Sequence, residues 1–324
     1  MRKRAGSVAV LAAAVLLAAA CAPPPPRPPG AGATTTVGRP RPTAPPPTVS
    51  STAPCGWHRG PAPTTWDHVV LVLFENKSFS QIMDPASGAP YLRSVAASCG
   101  SATNYWSVWP KSLANYLALT SGDTHGFTDD PPPSQAPVAG DSIFQQLGTD
   151  WTVLADGASQ NCQMNEGGTY YEIRHVPSLY YTAIRPTCAQ RTIPLGPVPD
   201  LSRRLTLVIP DRLHDMHATD LTPGIPDRIA AGDSWFRSFL PKLLATPQYR
   251  AGRTLILVTW DEGLRADLQV PLLVISPTVA PGARDARSFT HYSLLRSMQE
   301  AMGLRALLGH AATAPSMRGG PLSL

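Results

Sequence analysis

The chain has 324 residues, of which 43% are hydrophobic, 15% charged and 7% aromatic. This length and apolar content allow one large α/β domain or two average ones, and they exclude a wholly disordered protein. Residues 1–64 hold seven lysines and arginines and no acidic residue, which leaves 20 basic against 22 acidic residues in the rest of the chain. The net charge of +5 therefore arises in the N-terminal segment, and we expect no nucleic-acid partner.

The N-terminal segment predicts export. A basic start, Arg2 to Arg4, precedes a short apolar run that ends in small residues before Cys21. The run is shorter than the ~20 apolar residues that span a bilayer, and its flanks are typical of a cleaved signal segment over residues 1–20. Residues 17–21 (Leu-Ala-Ala-Ala-Cys) resemble a bacterial lipobox, in which the cysteine is lipidated; an ordinary signal peptide is the alternative.

Residues 21–64 predict a tether. Prolines number 14 between residues 23 and 63, and threonine and alanine make up much of the remainder. Such a composition buries too little apolar surface to fold and is extended. We therefore expect a disordered segment that connects a lipid-anchored Cys21 to a domain on the outside of the cell membrane.

Cysteine usage agrees with export. Apart from Cys21, the cysteines are Cys55, Cys99, Cys162 and Cys188, an even number without the spacing of a zinc site. Oxidising compartments favour disulfides, and three pairings are possible. Because disulfides most often join cysteines that are neighbours in sequence, we predict the pairs Cys55–Cys99 and Cys162–Cys188. Free buried thiols are the alternative.

Short apolar runs alternate with helical patterns along residues 65–310. The predicted strands cover 69–74, 151–155, 205–209, 254–259 and 270–275, and the predicted helices cover 113–120, 142–147, 227–245 and 292–302. Continuous apolar strands that alternate with helices predict an α/β fold, a three-layer α/β/α domain with a largely parallel central sheet. Residues 129–141 and 162–199 are interpreted as surface insertions that form lids or binding walls, and residues 311–324 as a flexible tail.

Polar side chains follow three of the predicted strands. They are Glu75 and Asn76 after the first strand, Asp211, His214, Asp215 and His217 after the third, and Asp261 and Glu262 after the fourth. In open α/β sheets, ligands bind at the carboxyl ends of the strands. Any one of these residues could instead serve only a turn or a helix cap. Together, oxygen and imidazole donors favour a divalent metal site of a hydrolase.

Ser112 is the candidate nucleophile, because it comes just before a predicted helix. Main-chain N–H groups and the helix dipole favour a phosphate there, and a bound metal would lower the pKa of the hydroxyl. A simple N-cap is the alternative. His125, in a small-residue loop, and His291, at the start of the last helix, could join the site or be purely structural.

In this order, the segments resemble the bacterial phosphoesterase family of acid phosphatases and phosphocholine-type phospholipases C, within the alkaline-phosphatase-like superfamily. The matching stretches are 69–79 (VVLVLFENKSF), 111–126 (KSLANYLALTSGDTHG), 208–217 (VIPDRLHDMH), 232–249, 254–263 (TLILVTWDEG) and 270–293. They span residues 65–305. The resemblance implies an alkaline-phosphatase-like fold and a divalent metal cofactor.

The resemblance also implies a role for each matching residue. Metal ligands are Glu75, Asn76, Asp261 and Glu262; catalytic residues are Ser112, Asn115, His214, His217 and His291; substrate-binding residues are His125, Asp211 and Asp215. Ser112 would attack phosphorus, Asn115 would hold a phosphate oxygen, and the histidines would offset charge, protonate the leaving group or hold a second metal. Two-zinc relatives have Asp-His where this chain has Asp261-Glu262, so one ion or two remain open. Ala114 and Asp123 depart from the commoner proline and serine without removing a reacting group.

The resulting hypothesis is an exported acid phosphatase that hydrolyses phosphate monoesters through a phosphoseryl intermediate. A phospholipase C that acts on phosphodiester lipids uses the same reacting groups and is the first alternative. A non-catalytic envelope binding protein is the second. The expected partners are a small phosphate ester or a phospholipid, and the membrane through the lipid anchor. We expect a monomer.

Overall fold

The computed structural model describes residues 53–58, 60–168, 170–217, 228–264 and 267–324. The predicted signal segment, Cys21 and most of the predicted tether lie outside these residues. Within the described ranges, no helix is both long and apolar enough to cross a membrane.

The described residues form strands and helices that alternate along the chain. The strands are β1 His68–Phe74, β2 Gly100–Ala102, β3 Tyr105–Trp106, β4 Trp151–Ala155, β5 Thr192–Pro194, β6 Leu205–Ile209, β7 Thr254–Trp260, β8 Leu272–Ile275, β9 Ala283–Asp285 and β10 Phe289–Thr290. The α-helices are α1 Phe79–Met83, α2 Pro90–Ser98, α3 Ser112–Ser121, α4 Ile143–Gln146, α5 Cys188–Arg191, α6 Arg228–Ala245, α7 Pro247–Arg250 and α8 His291–Ala301. Short 3-10 helices cover Ile173–His175, Pro177–Leu179, Thr182–Thr187 and Gly309–Ala312.

The central sheet has eight strands in the order β5-β4-β6-β1-β7-β8-β2-β9. The strands from β5 to β7 are parallel, and β8 is antiparallel to both of its neighbours. β4, β6 and β7 are buried throughout and β1 in all but its first residue, which explains their continuous apolar sequences. Helices α3 and α8 pack on each other, as do α2 and α6. The predicted three-layer α/β/α fold is confirmed.

The ordered domain extends further at both ends than the sequence predicts. Residues 54–58 dock on it, since Pro54 O accepts a hydrogen bond from Tyr249 Oη (2.6 Å) and His58 N donates to Pro277 O (2.9 Å). Residues 311–324 differ from the expected flexible tail because Met317 and Leu322 are fully buried. The short apolar sequences at these ends carry too little periodicity to reveal that they pack on the domain.

Two disulfides join the predicted cysteine pairs. Cys55 bonds to Cys99, and Cys162 bonds to Cys188. The second closes most of the segment 162–199, which is more than a surface insertion: it holds strand β5, and Tyr180 and Tyr181 are fully buried. This segment therefore forms a fixed wall of the domain.

Candidate active site

The four predicted metal ligands follow β1 and β7, whose carboxyl ends lie side by side. The two strands are parallel neighbours with Phe74 opposite Trp260, so the residues that follow each strand emerge at the same level. Asn76 N donates to Asp261 Oδ1 (3.0 Å), which joins the two strand ends. Asn76 has a φ of 50°, a left-handed conformation that asparagine tolerates better than most residues.

Three oxygens at these strand ends are buried without a hydrogen-bond partner among the described residues. They are Asn76 Oδ1, Asp261 Oδ2 and Glu262 Oε2. A buried oxygen left unpaired costs free energy, and carboxylate and amide oxygens are the ligands that hard divalent cations prefer. These residues therefore fit a divalent cation.

The charge around this point leads to the same conclusion. Burial, followed by repulsion from Asp261 and Asp215, raises the pKa of Glu75 well above its usual value. Burial and the charge of Asp261 likewise raise the pKa of Glu262. Burial raises the pKa of Asp215 to about 6. Carboxylates this close oppose one another's ionisation, and a bound cation would offset that repulsion.

Ser112 begins helix α3 beside this cluster. Its hydroxyl donates to Glu75 Oε2 (3.2 Å), while Tyr116, one turn later, donates to Glu75 Oε1. Every residue of α3 is buried, so the N-terminus of the helix is fixed under the site. The hydroxyl thus lies where the helix dipole and a neighbouring cation would both favour its alkoxide.

A cavity of about 200 Å³ opens above Ser112. Its lining residues are Ser112, Asp130, Glu172, Arg174, His175, Arg212 and His217. Only Ser112 and His217 were expected there. Glu172, Arg174 and His175 come from the segment that the second disulfide closes. The length of segment 162–199 predicted a binding wall, but no pattern within it singled out these three side chains.

His175 lies against the same cluster of acids. Its Nδ1 lies 3.5 Å from Glu75 Oε1 and 3.6 Å from Asp215 Oδ2, and its ring stacks on Tyr116. Glu75, His175 and His217 place ligand atoms within 4.8 Å of one another, a second arrangement that could hold a cation. Burial lowers the pKa of both histidines to about 4, so the imidazoles are neutral at pH 7 and able to ligate.

Asn115 and His291 are not among the residues that line the cavity, and direct contact with phosphate stays a prediction for both. The side-chain amide of Asn115 makes four hydrogen bonds to the backbone of residues 108–111, so it holds the loop before Ser112. His291 is fully buried between Tyr105 Oη, 2.7 Å from Nδ1, and Asp261 O, 2.5 Å from Nε2. In this arrangement both side chains hold neighbouring groups in position.

Four further predicted residues also lie outside the cavity lining. His125 Nε2 is 3.0 Å from Ser121 Oγ at the far end of α3, because the helix carries that loop away from its N-terminus. Asp211 and His214 contact each other, with Nδ1 2.7 Å from Oδ1, in the turn that supplies His217. Asp215 lies behind His175 and His217, and its Oδ1 accepts from His217 N (2.7 Å).

Comparison with known proteins identifies relatives of this chain. The profile of the Phosphoesterase family matches residues 85–305. A phosphatidylinositol-3-phosphatase of Mycobacterium tuberculosis is 26% identical over 260 residues, which cover 78% of this chain and 81% of the relative. A phosphate-repressible acid phosphatase of Penicillium chrysogenum is 26% identical over 75% of this chain, which spans only 60% of that relative.

Solved structures share the fold. A protein of the alkaline phosphatase superfamily from Vibrio parahaemolyticus superposes with a TM-score of 0.53 at 12% identity, over 80% of this chain and 72% of that one. At this identity the likeness concerns the fold alone.

Proposed function

The chain belongs to the Phosphoesterase family and acts on phosphoric ester bonds, and we propose that it is an exported, metal-dependent phosphomonoesterase of the acid phosphatase type. One observation carries the proposal. The Ser112 hydroxyl donates to Glu75 at the floor of the cavity, beside three buried ligand oxygens that have no partner among the described residues. Ser112 thus connects the cavity, which it lines, to Glu75 at the strand ends that carry the proposed cation site.

The residues divide the reaction between them. Glu75, Asn76, Asp261 and Glu262 would hold the cation, which when bound supplies positive charge to the serine oxygen and to the phosphoryl group. Ser112 gives its hydroxyl proton to a neighbouring base as Oγ attacks phosphorus, the bond from phosphorus to the ester oxygen breaks, the alcohol leaves with a proton, and the phosphoryl group is carried on Ser112. Water then attacks phosphorus and releases inorganic phosphate and the free serine.

The cavity wall provides the remaining groups. The guanidinium groups of Arg174 and Arg212 face the same cavity as Ser112 and would neutralise phosphoryl oxygens, as charge-assisted hydrogen bonds do in phosphate sites. The carboxylate of Glu172 forms ion pairs with both guanidinium groups, with Oε1 3.4 Å from Arg174 Nη1 and Oε2 3.9 Å from Arg212 Nη1. His217 and His175 border the cavity as neutral imidazoles, so one of them can take up the proton that Ser112 loses and return it to the leaving alcohol.

Export through a lipidated Cys21 is part of the proposal. Its support is the lipobox-like sequence before Cys21 together with two disulfides, which form and persist in oxidising compartments. Incorporation of labelled palmitate into the full chain, lost in Cys21→Ala, would support it. Equal labelling of the variant would contradict it.

The substrate assay compares p-nitrophenyl phosphate, p-nitrophenyl phosphocholine and phosphatidylinositol 3-phosphate. The third is included because the mycobacterial relative is named for that lipid. We expect turnover of the monoesters that chelation abolishes and a divalent cation restores. Preference for the choline diester would instead favour a phospholipase C.

Ser112→Ala tests the covalent step. We expect kcat to fall by about 10³-fold or more, since loss of a nucleophile in comparable enzymes costs at least that much. Ser121→Ala is the matched control: it removes a buried hydroxyl from the same helix, where Oγ donates to Leu117 O (2.8 Å), and should leave kcat unchanged. Full turnover by Ser112→Ala would overturn the phosphoseryl mechanism without affecting the family assignment.

A further inference from the structure

A second cluster of ligand-type side chains lies at the carboxyl ends of β4 and β6. Asp156 follows β4, and Asp211 and His214 follow β6. His214 Nδ1 is 2.7 Å from Asp211 Oδ1 and 3.5 Å from Asp156 Oδ2, and one ligand atom from each residue lies within 4.8 Å of the others. None of the three lines the cavity above Ser112.

We propose that Asp156, Asp211 and His214 form a separate binding site for a divalent transition-metal ion that takes no part in the chemical step. Two carboxylates and one imidazole suit Mn²⁺, Fe²⁺, Co²⁺ or Zn²⁺, and the two negative charges match the charge of the ion. The proposal does not depend on the function assigned to the cavity above Ser112.

The imidazole lies between the two carboxylates, which, against the opposing effect of burial, raise the pKa of His214 to about 9, so a bound ion would replace the proton of this ring. Its Nδ1 is a buried atom that, among the described residues, makes no hydrogen bond of acceptable geometry, although two carboxylates lie close by. The ring stacks on Trp235 (centroids 6.1 Å apart), which fixes its plane. Asp211 is held in turn, since its Oδ1 accepts from Leu213 N (3.0 Å). Partners that orient ligands in this way are typical of metal sites.

An adjoining cavity gives an ion access to the cluster. It has a volume of about 280 Å³, and Asp156, His214 and Trp235 are among its lining residues. The ion could therefore bind, and complete its coordination with water, without rearrangement of the sheet.

The position of the cluster couples it to the candidate active site. The turn that carries Asp211 and His214 also carries Asp215 and His217. His214 N and Asp215 N both donate to Asp211 O, at 2.9 and 2.8 Å. An ion that joins Asp211 to Asp156 would hold this turn to the end of β4 and so fix His217 at the cavity.

The test is a titration of the purified protein with Mn²⁺, with free Mn²⁺ measured by electron paramagnetic resonance. We expect one binding equivalent that survives Glu262→Gln but is weakened more than about 10-fold by Asp156→Asn or by His214→Phe, since even partners that only orient a ligand are worth 10- to 100-fold in affinity. His214→Phe keeps an aromatic ring on Trp235. Asp200→Asn, at an exposed turn, is the control and should change nothing.

Location is tested separately with Co²⁺, which quenches nearby indoles. We expect quenching that Trp235→Phe and Asp156→Asn each remove, with Co²⁺ still bound in Trp235→Phe. An unchanged Mn²⁺ stoichiometry and affinity in both Asp156→Asn and His214→Phe would overturn the proposal and leave the cluster as a histidine–carboxylate ion pair. Loss of turnover in Ser112→Ala has no bearing on this outcome.

Discussion

The phenol of Tyr116 donates a hydrogen bond to Glu75 Oε1, while the other oxygen of Glu75 accepts from Ser112. Glu75 is thus the one strand-end acid at this site whose two oxygens both have partners among the described residues, and both partners belong to helix α3. The helix therefore sets the orientation of Glu75 relative to β7.

Tyr116→Phe removes that orientation with little change in volume. We expect the affinity of the Ser112 site for Mn²⁺ to fall by about 10- to 100-fold, because partners of ligating carboxylates are worth that much. Titration of the variant and of the wild type with Mn²⁺ measures this change in affinity. Tyr181→Phe is the matched control, since its hydroxyl bonds to Thr120 on the same helix (2.7 Å). Equal affinities in the wild type and Tyr116→Phe would show that the phenol has no part in binding.

Without a cation, the buried carboxylates should make stability fall as pH rises. The pKa values of Glu75 and Glu262 are raised in the fold, so the folded protein retains protons that the unfolded chain has released, and that stabilisation is lost as pH rises through the folded values. We expect the Tm of chelated protein to decline between pH 7 and 9, where unfolded histidines are already neutral. Added Mn²⁺ should restore it, most at the highest pH.

Glu262→Gln provides the control for this pH effect. The amide cannot ionise, so the decline in Tm of the chelated variant should be shallower than that of the wild type. A flat Tm in chelated wild-type protein over the same range would contradict the predicted repulsion.

His291 should lower stability in acid. Burial, only partly opposed by the hydrogen bond to Asp261 O, lowers its pKa to about 4. In the unfolded chain this histidine takes up a proton near pH 6.5, whereas in the folded protein it stays neutral down to about pH 4. The free energy of unfolding therefore falls as pH drops from 6.5 to 4. The shift corresponds to about 3 kcal/mol. Urea unfolding at pH 7 and pH 4.5 should show a smaller difference for His291→Gln than for the wild type, while exposed His58→Gln should match the wild type.

Loss of the Cys162–Cys188 disulfide should weaken substrate binding in addition to lowering the free energy of unfolding. We expect the double variant Cys162→Ser/Cys188→Ser to lose about 3 kcal/mol of unfolding free energy, the value typical of a loop of this size. Its KM should rise, because Glu172, Arg174 and His175 lie inside the loop that the bond closes. Cys55→Ser/Cys99→Ser is the comparison: it should lose stability with KM unchanged. A rise in KM in that variant alone would contradict this assignment.

The strands were predictable because burial on both faces leaves a continuous apolar sequence. The predicted strands 151–155 and 205–209 agree with β4 and β6 residue for residue. Helix α2 (Pro90–Ser98) was missed, although Leu92, Val95 and Ala96 form a buried face at helical spacing. The reversed direction of β8 was also missed, since direction is decided by connections and not by composition.

The strand-end acids of the site were predictable for the same reason as the strands. Glu75 and Asp261 follow apolar runs, and parallel neighbours bring such residues together. The roles of histidines were not predictable in this way. His291 and His217 both follow strands in sequence, and only the packing of Tyr105 and Asp261 around His291 separates a buried support from a cavity residue. His175 could not be placed, because nothing periodic surrounds it.

The disulfide-closed segment 162–188 has a further consequence for how such a protein can change over time. The reacting groups sit on rigid strand ends and on α3, whereas three cavity-lining residues belong to one covalently closed insertion. Exchanging that insertion would alter the cavity wall and leave Ser112 and the strand-end acids in place. Substrate preference can therefore change through this segment, and because His175 belongs to it, such an exchange would also act on the chemistry at Glu75.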